Sequence, residues 1–435
     1  MSSIRETINY LIRIFAEEKL IEQRSIDKVQ YAGQMFGQEE YVALMEALYS
    51  GWLSRGKYTV ETEKKIAQQS MRKHCLLCNS GSSANLLLMA AAKELYFKEG
   101  DKILTVACGF PTTVNPIVQV GLKPVFIDIS LDNFDIDVGL FDNALRNDKN
   151  IKGAFIPNHL GFSNKMDILL DIAREHNVIV FFDCCDSYGS TYNGKPLQQY
   201  GKAATMSFYV SHLVSCGEGG GIVTNDDDLF TVMRGMRDWG RYCASENCCI
   251  RSVDPEAFCP STKLTKDTEL PEDYTVNYIS EWMGYNLKML ELQSAILNKQ
   301  LDRIVEFNKT RIENYNMLYE YMKSNKHNIR TWPLVEGVSP FAFPMLIPED
   351  ATFKRKHLMN FLQQNKIESR LLFAGNITKH PAYSKKPHLW EVYGNLSNSD
   401  NIMRNFIMLG VAPIITKDKI LKIIDVLSRF FEEWK

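Results

Sequence analysis

The segment Ser207-Phe-Tyr-Val-Ser-His212, followed by Gly217-Glu-Gly-Gly-Gly-Ile-Val-Thr224, decides how the rest of the chain is interpreted. The apolar run Ala204–Tyr209 predicts a strand that leads to His212, and Gly221–Thr224 predicts a second strand after a glycine-rich turn. A histidine at the end of a strand is, taken alone, usually an ordinary hydrogen-bonded residue. Its meaning therefore depends on the segments around it.

Outward from that segment, short apolar runs alternate with helical segments. Ala84–Leu95 and Met166–Glu175 have helical periodicity. Alternation of this kind is typical of βαβ units and predicts an α/β fold with a largely parallel sheet. The further predicted strands are Cys75–Cys78, Lys102–Ala107, Lys123–Ile127, Gly153–Ile156 and Val178–Phe182.

The chain divides into two predicted domains. Residues 1–290 hold N-terminal helices and the α/β region, and they include a polar, cysteine-containing insertion at about 239–283. Residues 291–435 begin with a long bridging helix, roughly Lys288 to Ser324, and continue as a small α+β domain. That domain has predicted strands at Phe341–Ile347 and Ile367–Arg370, a helix at Phe353–Gln364 and a terminal helix from Lys417.

Composition restricts the class of protein. The chain has 435 residues, with 45% hydrophobic and 23% charged residues, as in ordinary globular proteins. A net charge of −2 does not favour nucleic-acid binding, and no apolar run approaches the length of a membrane span. The N-terminus lacks the features of a signal peptide, which indicates a cytoplasmic protein.

Two segments carry side chains and backbone amides that are suited to binding a ligand. Asn79-Ser-Gly-Ser-Ser-Ala-Asn85 lies between a predicted strand and a helix, where backbone amides and the helix dipole bind phosphate. Ser82 and Ser83 add hydroxyl donors, although a plain serine N-cap explains the segment equally well. Asp183 ends the strand Val178–Phe182 and points into a ligand crevice, unless it is a loop aspartate.

These pieces, in this order, resemble the sugar-nucleotide aminotransferase and dehydratase family. The resemblance covers nearly the whole chain, and its members have the fold type I of pyridoxal-phosphate (PLP) enzymes, like aspartate aminotransferase. It implies a large domain with a mostly parallel sheet and a smaller α+β C-terminal domain. The segments that carry it are Tyr31-Ala-Gly33, Asn158-His-Leu-Gly161, Asp183-Cys-Cys-Asp186, Ser207–His212 with Gly217–Gly220, Arg237-Asp-Trp-Gly-Arg241, Gly284-Tyr-Asn-Leu-Lys288 and Arg370-Leu-Leu-Phe-Ala-Gly-Asn376.

The resemblance implies roles for cofactor-binding residues. Asp183 would pair with the pyridine nitrogen of PLP and keep the ring an electron sink. Gly81, Ser82 and Ser207 would hold the phosphate. Phe110 would stack on the ring, although a phenylalanine after a strand is by itself more often a core residue.

Three further residues receive implied roles around the site. Asn286 would reach the cofactor phosphate of a neighbouring subunit, which implies a homodimer with shared sites. Arg370 and Asn376 would shape the pocket for a nucleotide-sugar substrate.

His212 stands where other family members carry the lysine that binds PLP covalently. Because imidazole cannot form a stable imine with the PLP aldehyde, a non-covalent cofactor is expected, in the pyridoxamine phosphate (PMP) form. His212 would then be the base of a 3-dehydration, in which a nucleotide-linked 4-keto-6-deoxyhexose loses its 3-hydroxyl group.

Within the family, the chain most resembles the iron–sulfur branch that acts on CDP-4-keto-6-deoxy-D-glucose in the synthesis of 3,6-dideoxysugars, typical of lipopolysaccharide and O-antigen. Its [2Fe–2S] cluster needs four thiolates, here Cys185, Cys243, Cys248 and Cys249. An NAD(P)H-dependent iron–sulfur flavoprotein reductase or a ferredoxin would supply electrons. The pattern departs from that branch at Ser245, where a third ligand is expected; unligated thiols and a zinc site are the alternatives.

Two other functions are compatible with the sequence. One is a cluster-free, PLP- and glutamate-dependent dehydratase of the GDP-4-keto-6-deoxymannose 3-dehydratase type. The other is a non-catalytic regulator with a PLP-enzyme fold. An ordinary aminotransferase that uses Lys202 is less favoured, because Lys202 precedes the strand leading to His212.

Overall fold

A computed structural model describes residues 2–163, 165–241, 268–271, 274, 278–324 and 328–434. Most of the predicted insertion lies outside the described residues. Three of the four predicted cluster ligands, Cys243, Cys248 and Cys249, also lie outside them. Cys185 is the predicted ligand whose position is described.

The strands agree with the predicted alternation. Those of the first half follow the apolar runs closely, because each run is short and is bounded by turn residues. The strands are β1 (His74–Cys78), β2 (Lys102–Val106), β3 (Lys123–Ile127), β4 (Ile151–Pro157), β5 (Ile179–Asp183), β6 (Thr191–Tyr192), β7 (Lys195–Pro196), β8 (Ala203–Ser207), β9 (Gly220–Thr224), β10 (Ala342–Leu346), β11 (Ser369–Arg370), β12 (Glu391–Val392) and β13 (Phe406–Gly410).

Helices cover the sheet and form the N-terminal region. They are α1 (Ser2–Ser25), α2 (Gln38–Tyr49), α3 (Lys57–Gln69), α4 (Gly81–Tyr96), α5 (Pro111–Gln119), α6 (Val138–Asn147), α7 (Met166–Glu175), α8 (Asp227–Arg237), α9 (Glu291–Gln300), α10 (Ile304–Lys323), α11 (Arg355–Gln364), α12 (Pro381–Ser384), α13 (Ser397–Asn405) and α14 (Lys417–Glu433). None of the helices in these ranges is long and apolar enough to cross a bilayer.

The central sheet has eight strands in the order β1-β9-β8-β5-β4-β2-β3-β12. β9 is antiparallel to both of its neighbours, β1 and β8, and all other pairs are parallel. The predicted α/β fold with a largely parallel sheet is confirmed. Because parallel strands end at the same edge, residues that follow β1, β2, β4, β5 and β8 meet there.

A second, antiparallel sheet has the order β10-β13-β11 and packs with α11 and α14 through a shared apolar core. The predicted single helix from Lys288 to Ser324 differs from the structure. α9 and α10 are separated by a short 3₁₀ turn, Leu301–Arg303. β12, although late in the chain, pairs with β3 of the central sheet.

The segment that follows α1 pairs with residues of the C-terminal part of the chain. The Val29 N–H donates to the Lys366 carbonyl, and the Glu368 N–H donates back to the Val29 carbonyl, each at 2.9 Å. The nearby Asp27 carboxylate bonds Lys366 and Lys422. The segment after α1 is therefore held by the C-terminal part of the chain.

Candidate active site

One cavity of about 350 Å³ lies at the carboxyl edge of the central sheet. It brings together seven of the residues singled out in the sequence: Gly81, Ser82, Phe110, Asp183, Cys185, Ser207 and His212. The other lining residues are Ser80, Asn85, Thr112, Thr113, Pro157, Asn158, His159, Asp186, Tyr209, Ser211, Glu218, Phe341 and Phe373. No lysine is among the described residues that line it.

The loop before α4 packs unusually closely on the sheet. Ser80 is the N-cap, and its hydroxyl accepts a hydrogen bond from the Ser83 N–H at 3.0 Å. A Cβ atom at Gly81 would lie 2.6 Å from the Ser207 Cβ, and one at Gly220 would lie 2.2 Å from the Ser80 carbonyl oxygen. Both positions therefore require glycine. The helix N-terminus with its free amides opens on the cavity, beside the exposed Ser82.

Asp183 is held by three donors. Its Oδ2 accepts hydrogen bonds from the Asn85 side-chain amide and the Thr113 hydroxyl, both at 2.8 Å, and its Oδ1 accepts one from the Cys185 N–H at 3.0 Å. These bonds fix the direction of the carboxylate, whose remaining lone pair is available to the cavity.

His212 lies in the turn after β8, and its side chain, 14% exposed, lies between Asp186 and Phe341. Its Nδ1 is 3.8 Å from the Asp186 Oδ1, too long for a hydrogen bond, and its ring centroid is 5.5 Å from that of Phe341. Burial lowers the pKa of His212 to about 4, against the opposing effect of Asp183. At neutral pH the imidazole is uncharged and can accept a proton.

The pKa of Asp186 is shifted in the opposite direction, upward. Burial, reinforced by the charge of Asp183, raises the pKa of the Asp186 carboxyl to about 8. The cavity thus holds a neutral base and a protonated acid side by side near pH 7. Such a separation of protonation states is typical of acid–base sites.

His159 is a cavity residue that the sequence analysis did not single out as functional. Its Nδ1 lies 2.8 Å from the Phe134 carbonyl oxygen, which places the ring proton on Nδ1. Burial lowers the pKa of His159 to about 4. The only signal in the sequence was its place in Asn158-His-Leu-Gly161, after a strand.

Phe110 is not a core residue. It is 50% exposed, lines the cavity and makes an edge-to-face contact with Phe373 at 5.8 Å. An exposed phenylalanine at the mouth of a cavity is available for a flat ligand.

Three predicted residues do not line the cavity. Asn286 pairs with Asp238 in a β-bridge, and Arg370 extends over the ring of Tyr31 at 5.6 Å. Asn376 is buried; its side chain accepts from the Thr378 N–H and donates to Asp400. The implied roles of these residues remain predictions.

The predicted cluster has only one ligand in the described part of the chain. Cys185 lines the cavity, and burial raises the pKa of its thiol well above the ordinary value. Within the described residues, no group of three or more histidine, cysteine, aspartate or glutamate side chains is arranged to hold a metal ion.

Comparison with known proteins agrees with this architecture. The chain is 33% identical to the lipopolysaccharide biosynthesis protein RfbH of Salmonella typhimurium, over 99% of this chain and 98% of that protein. It is 32% identical to the dTDP-4-dehydro-2,6-dideoxy-D-glucose 3-dehydratase of Saccharopolyspora spinosa, over 92% of this chain and 86% of that enzyme.

Among solved structures, the E. coli GDP-4-keto-6-deoxy-D-mannose-3-dehydratase with bound hydrated PLP is similar. Its TM-score is 0.81 at 26% identity, over 92% of this chain and all of that chain. Residues 34–428 match the DegT/DnrJ/EryC1/StrS aminotransferase family. The fold, the match over most of the chain and these relatives together show that this protein belongs to the DegT/DnrJ/EryC1/StrS family of PLP-dependent enzymes.

Proposed function

We propose that the protein is a PMP/PLP-dependent sugar-nucleotide 3-dehydratase that acts on a nucleotide-linked 4-keto-6-deoxyhexose. The observation that carries this proposal is a buried, neutral His212 in a cavity that no described lysine lines. Lys202 faces elsewhere: it pairs with Asp226 and lies 5.2 Å from the ring of Tyr96. Two relatives named above are 3-dehydratases, which supports the same reaction here.

The cavity fits this cofactor. The loop at Gly81 packs so closely on β8 that it has no room for a Cβ atom. This loop, with the Ser82 and Ser207 hydroxyls, would hold the phosphate at the N-terminus of α4. Asp183, oriented by its three donors, would bond the pyridine nitrogen. Phe110 offers a face for the ring.

When bound, PMP supplies an amine for the substrate carbonyl and a ring that withdraws electrons. His212 would accept the proton that the reaction removes from the bound cofactor, because its lowered pKa leaves the imidazole unprotonated at neutral pH. Asp186, whose carboxyl is protonated near neutral pH and lies 3.8 Å from the His212 ring, would be the acid for departure of the 3-hydroxyl as water. Asp183 would keep the pyridine nitrogen protonated.

CDP-4-keto-6-deoxy-D-glucose is the substrate we propose, in a pathway to a 3,6-dideoxysugar; the relation to RfbH, a lipopolysaccharide biosynthesis protein, supports a role in making lipopolysaccharide. The purified protein with PMP should consume this sugar with loss of one water, detected by mass spectrometry. GDP-4-keto-6-deoxymannose and a dTDP-linked 4-keto sugar should be tested in parallel. His212→Asn should bind PMP but leave every substrate intact.

Borohydride treatment of the PLP-loaded protein provides an independent test. With no lysine at position 212, the PLP should be released on denaturation. A cofactor irreversibly attached to a lysine would contradict the proposal. Failure to bind either PMP or a 4-keto sugar would favour the non-catalytic regulator.

The [2Fe–2S] cluster is a proposal that rests on the cysteine pattern. Cys185 is beside the cavity, and its raised pKa means that it would need a metal to become a thiolate. Anaerobically purified protein should show visible absorbance that is lost on reduction, with iron and acid-labile sulfide. Such a protein would take electrons from an NAD(P)H-dependent iron–sulfur flavoprotein or a ferredoxin.

A protein without iron would instead require the cluster-free route. In that case, turnover should depend on added glutamate, which regenerates PMP from PLP. The glutamate requirement and the iron content therefore distinguish the two dehydratases, and both outcomes retain the role of His212.

A further inference from the structure

Arg311, on α10, is a buried cation outside the set of residues that line the cavity. It is only 2% exposed, and no carboxylate of the described residues lies within ion-pair distance of it. Its guanidinium donates instead to three backbone carbonyls: those of Pro340 at 3.3 Å, Phe341 at 3.1 Å and His212 at 3.4 Å.

Burying Arg311 in this way costs free energy of folding. Burying a charge that has no partner of opposite sign is unfavourable, and carbonyl oxygens compensate only part of the lost hydration. Burial lowers the pKa of Arg311 to about 10, so the side chain remains charged at neutral pH. A purely stabilising residue at this position would be expected to be apolar.

The three carbonyls belong to two walls of the same cavity. His212 lies in the turn after β8, and Phe341 lies in the segment that enters β10, 30 residues after Arg311. The rings of His212 and Phe341 are neighbours, with centroids 5.5 Å apart and planes tilted by 52°. One side chain therefore joins the turn that carries His212 to the Phe341 segment, which comes from the C-terminal part of the chain.

We propose that Arg311 is a positioning residue for the base: it fixes the turn that carries His212 against the segment that carries Phe341. The inference rests on the proposed function only in taking His212 as the base. The geometric part does not depend on which nucleotide sugar is the substrate.

Two variants test this role. Arg311→Gln removes the charge, and Arg311→Lys keeps the charge but cannot reproduce the planar fork toward three carbonyls. Arg355→Gln is the matched control, since Arg355 also donates to backbone carbonyls, those of Met403 and Phe406, away from the cavity. Selectively ¹³C-labelled histidines in the full-length protein, with and without PMP, report the surroundings of the His212 ring at a fixed neutral pH; the His212→Asn spectrum assigns its signal.

In both Arg311 variants the His212 signal should move, because the turn is no longer tied to the Phe341 segment, and kcat should fall by roughly 10- to 100-fold with little change in KM. Arg355→Gln should change neither quantity.

If Arg311→Gln does not fold, Arg311→Lys decides through its kcat, because it keeps the buried charge. An unmoved His212 signal or wild-type kcat in Arg311→Lys would overturn the inference. Failure of the proposed function would look different: His212→Asn would retain dehydration, whatever the position of the His212 signal in Arg311→Lys.

Discussion

At the scale of single residues, burial shifts the pKa values of two cavity groups in opposite directions, in each case away from the charged form. His212 is neutral because burial outweighs its nearby aspartate, and Asp186 is protonated because burial and Asp183 act together. Asn85 and Thr113 use their side chains to hold Asp183. The chemistry of the site thus depends on desolvation as much as on residue type.

His212→Lys should change the chemistry of the cofactor. The new amine lies where it can bond the PLP aldehyde, so borohydride should attach PLP permanently to the protein. Dehydration should fall by about 10²- to 10⁴-fold, because the neutral base is lost. Retained dehydration in His212→Lys would contradict the role of the imidazole; His212→Asn, which has no amine, is the control for covalent attachment.

The lowered pKa of His212 also predicts how stability changes with pH. A histidine that titrates near 6.5 when unfolded and near 4 when folded stabilises the protein fully above pH 6.5, and this contribution is lost as the pH falls toward 4. When the pH falls from 6.5 to 5, the free energy of unfolding of the wild type should decrease by about 2 kcal/mol more than that of His212→Asn.

Urea unfolding at several pH values measures this difference. His388→Asn, at an exposed histidine, is the control and should be as acid-sensitive as the wild type. Equal acid sensitivity in His212→Asn and wild type would show that His212 is not held neutral in the folded protein.

At the scale of elements, the close contact between the α4 loop and β8 can be tested at Gly81. An added Cβ would lie 2.6 Å from the Ser207 Cβ and 3.1 Å from the Cys185 Sγ, so one of these segments must move. Gly81→Ala should lower the free energy of unfolding by about 1–3 kcal/mol and weaken PMP binding.

Thermal unfolding and fluorescence titration with PMP measure the two effects of Gly81→Ala. Gly139→Ala in α6 is the control, because it lies outside the cavity lining and the nearest atom to its new Cβ is an Asp137 carboxylate oxygen at 3.3 Å. Wild-type affinity for PMP in Gly81→Ala would mean that the phosphate does not lie against this loop.

The elements themselves were largely predictable from the sequence. β1 to β5, β8 and β9 are short apolar runs between turn residues, and their alternation with helices is a local signal. The break at Leu301–Arg303 between α9 and α10 was not predicted, since the helical periodicity continues through it.

The sequence could place Asp183 and His212 at the same edge of the sheet, because each follows an apolar run that predicts a strand; their roles stay predictions. The partners of Asp183 were missed because Asn85 and Thr113 are 98 and 70 residues away from it and have no unusual local pattern. His159 was missed for a similar reason: its neutral form results from burial, which depends on tertiary packing. The roles of Asn286, Arg370 and Asn376 remain predictions.

At the scale of the whole molecule, the implied sharing of sites between two subunits can be tested by mixing inactive variants. His212→Asn lacks the base, and Asn286→Ala lacks the residue expected to reach a neighbour's phosphate. A mixed dimer of the two would have one intact site. After co-refolding at equal amounts, about one quarter of wild-type activity should return, since half of the dimers are mixed.

Each variant refolded alone is the control for this experiment and should remain inactive. Size-exclusion chromatography with light scattering should give a dimer for all samples. Full activity in Asn286→Ala alone, or no recovery in the mixture, would argue that each subunit contains its own complete site.

The pairing of the Val29 segment with Lys366 and Glu368 has a consequence for biosynthesis. These partners are more than 300 residues apart in the chain, as the 337-residue separation of the Tyr31–Glu368 hydrogen bond illustrates. During translation the amino-terminal segment leaves the ribosome long before its partner exists. The Val29 segment therefore stays without these partners until late in synthesis. In a nascent chain stopped before Lys366, that segment should be accessible to proteases.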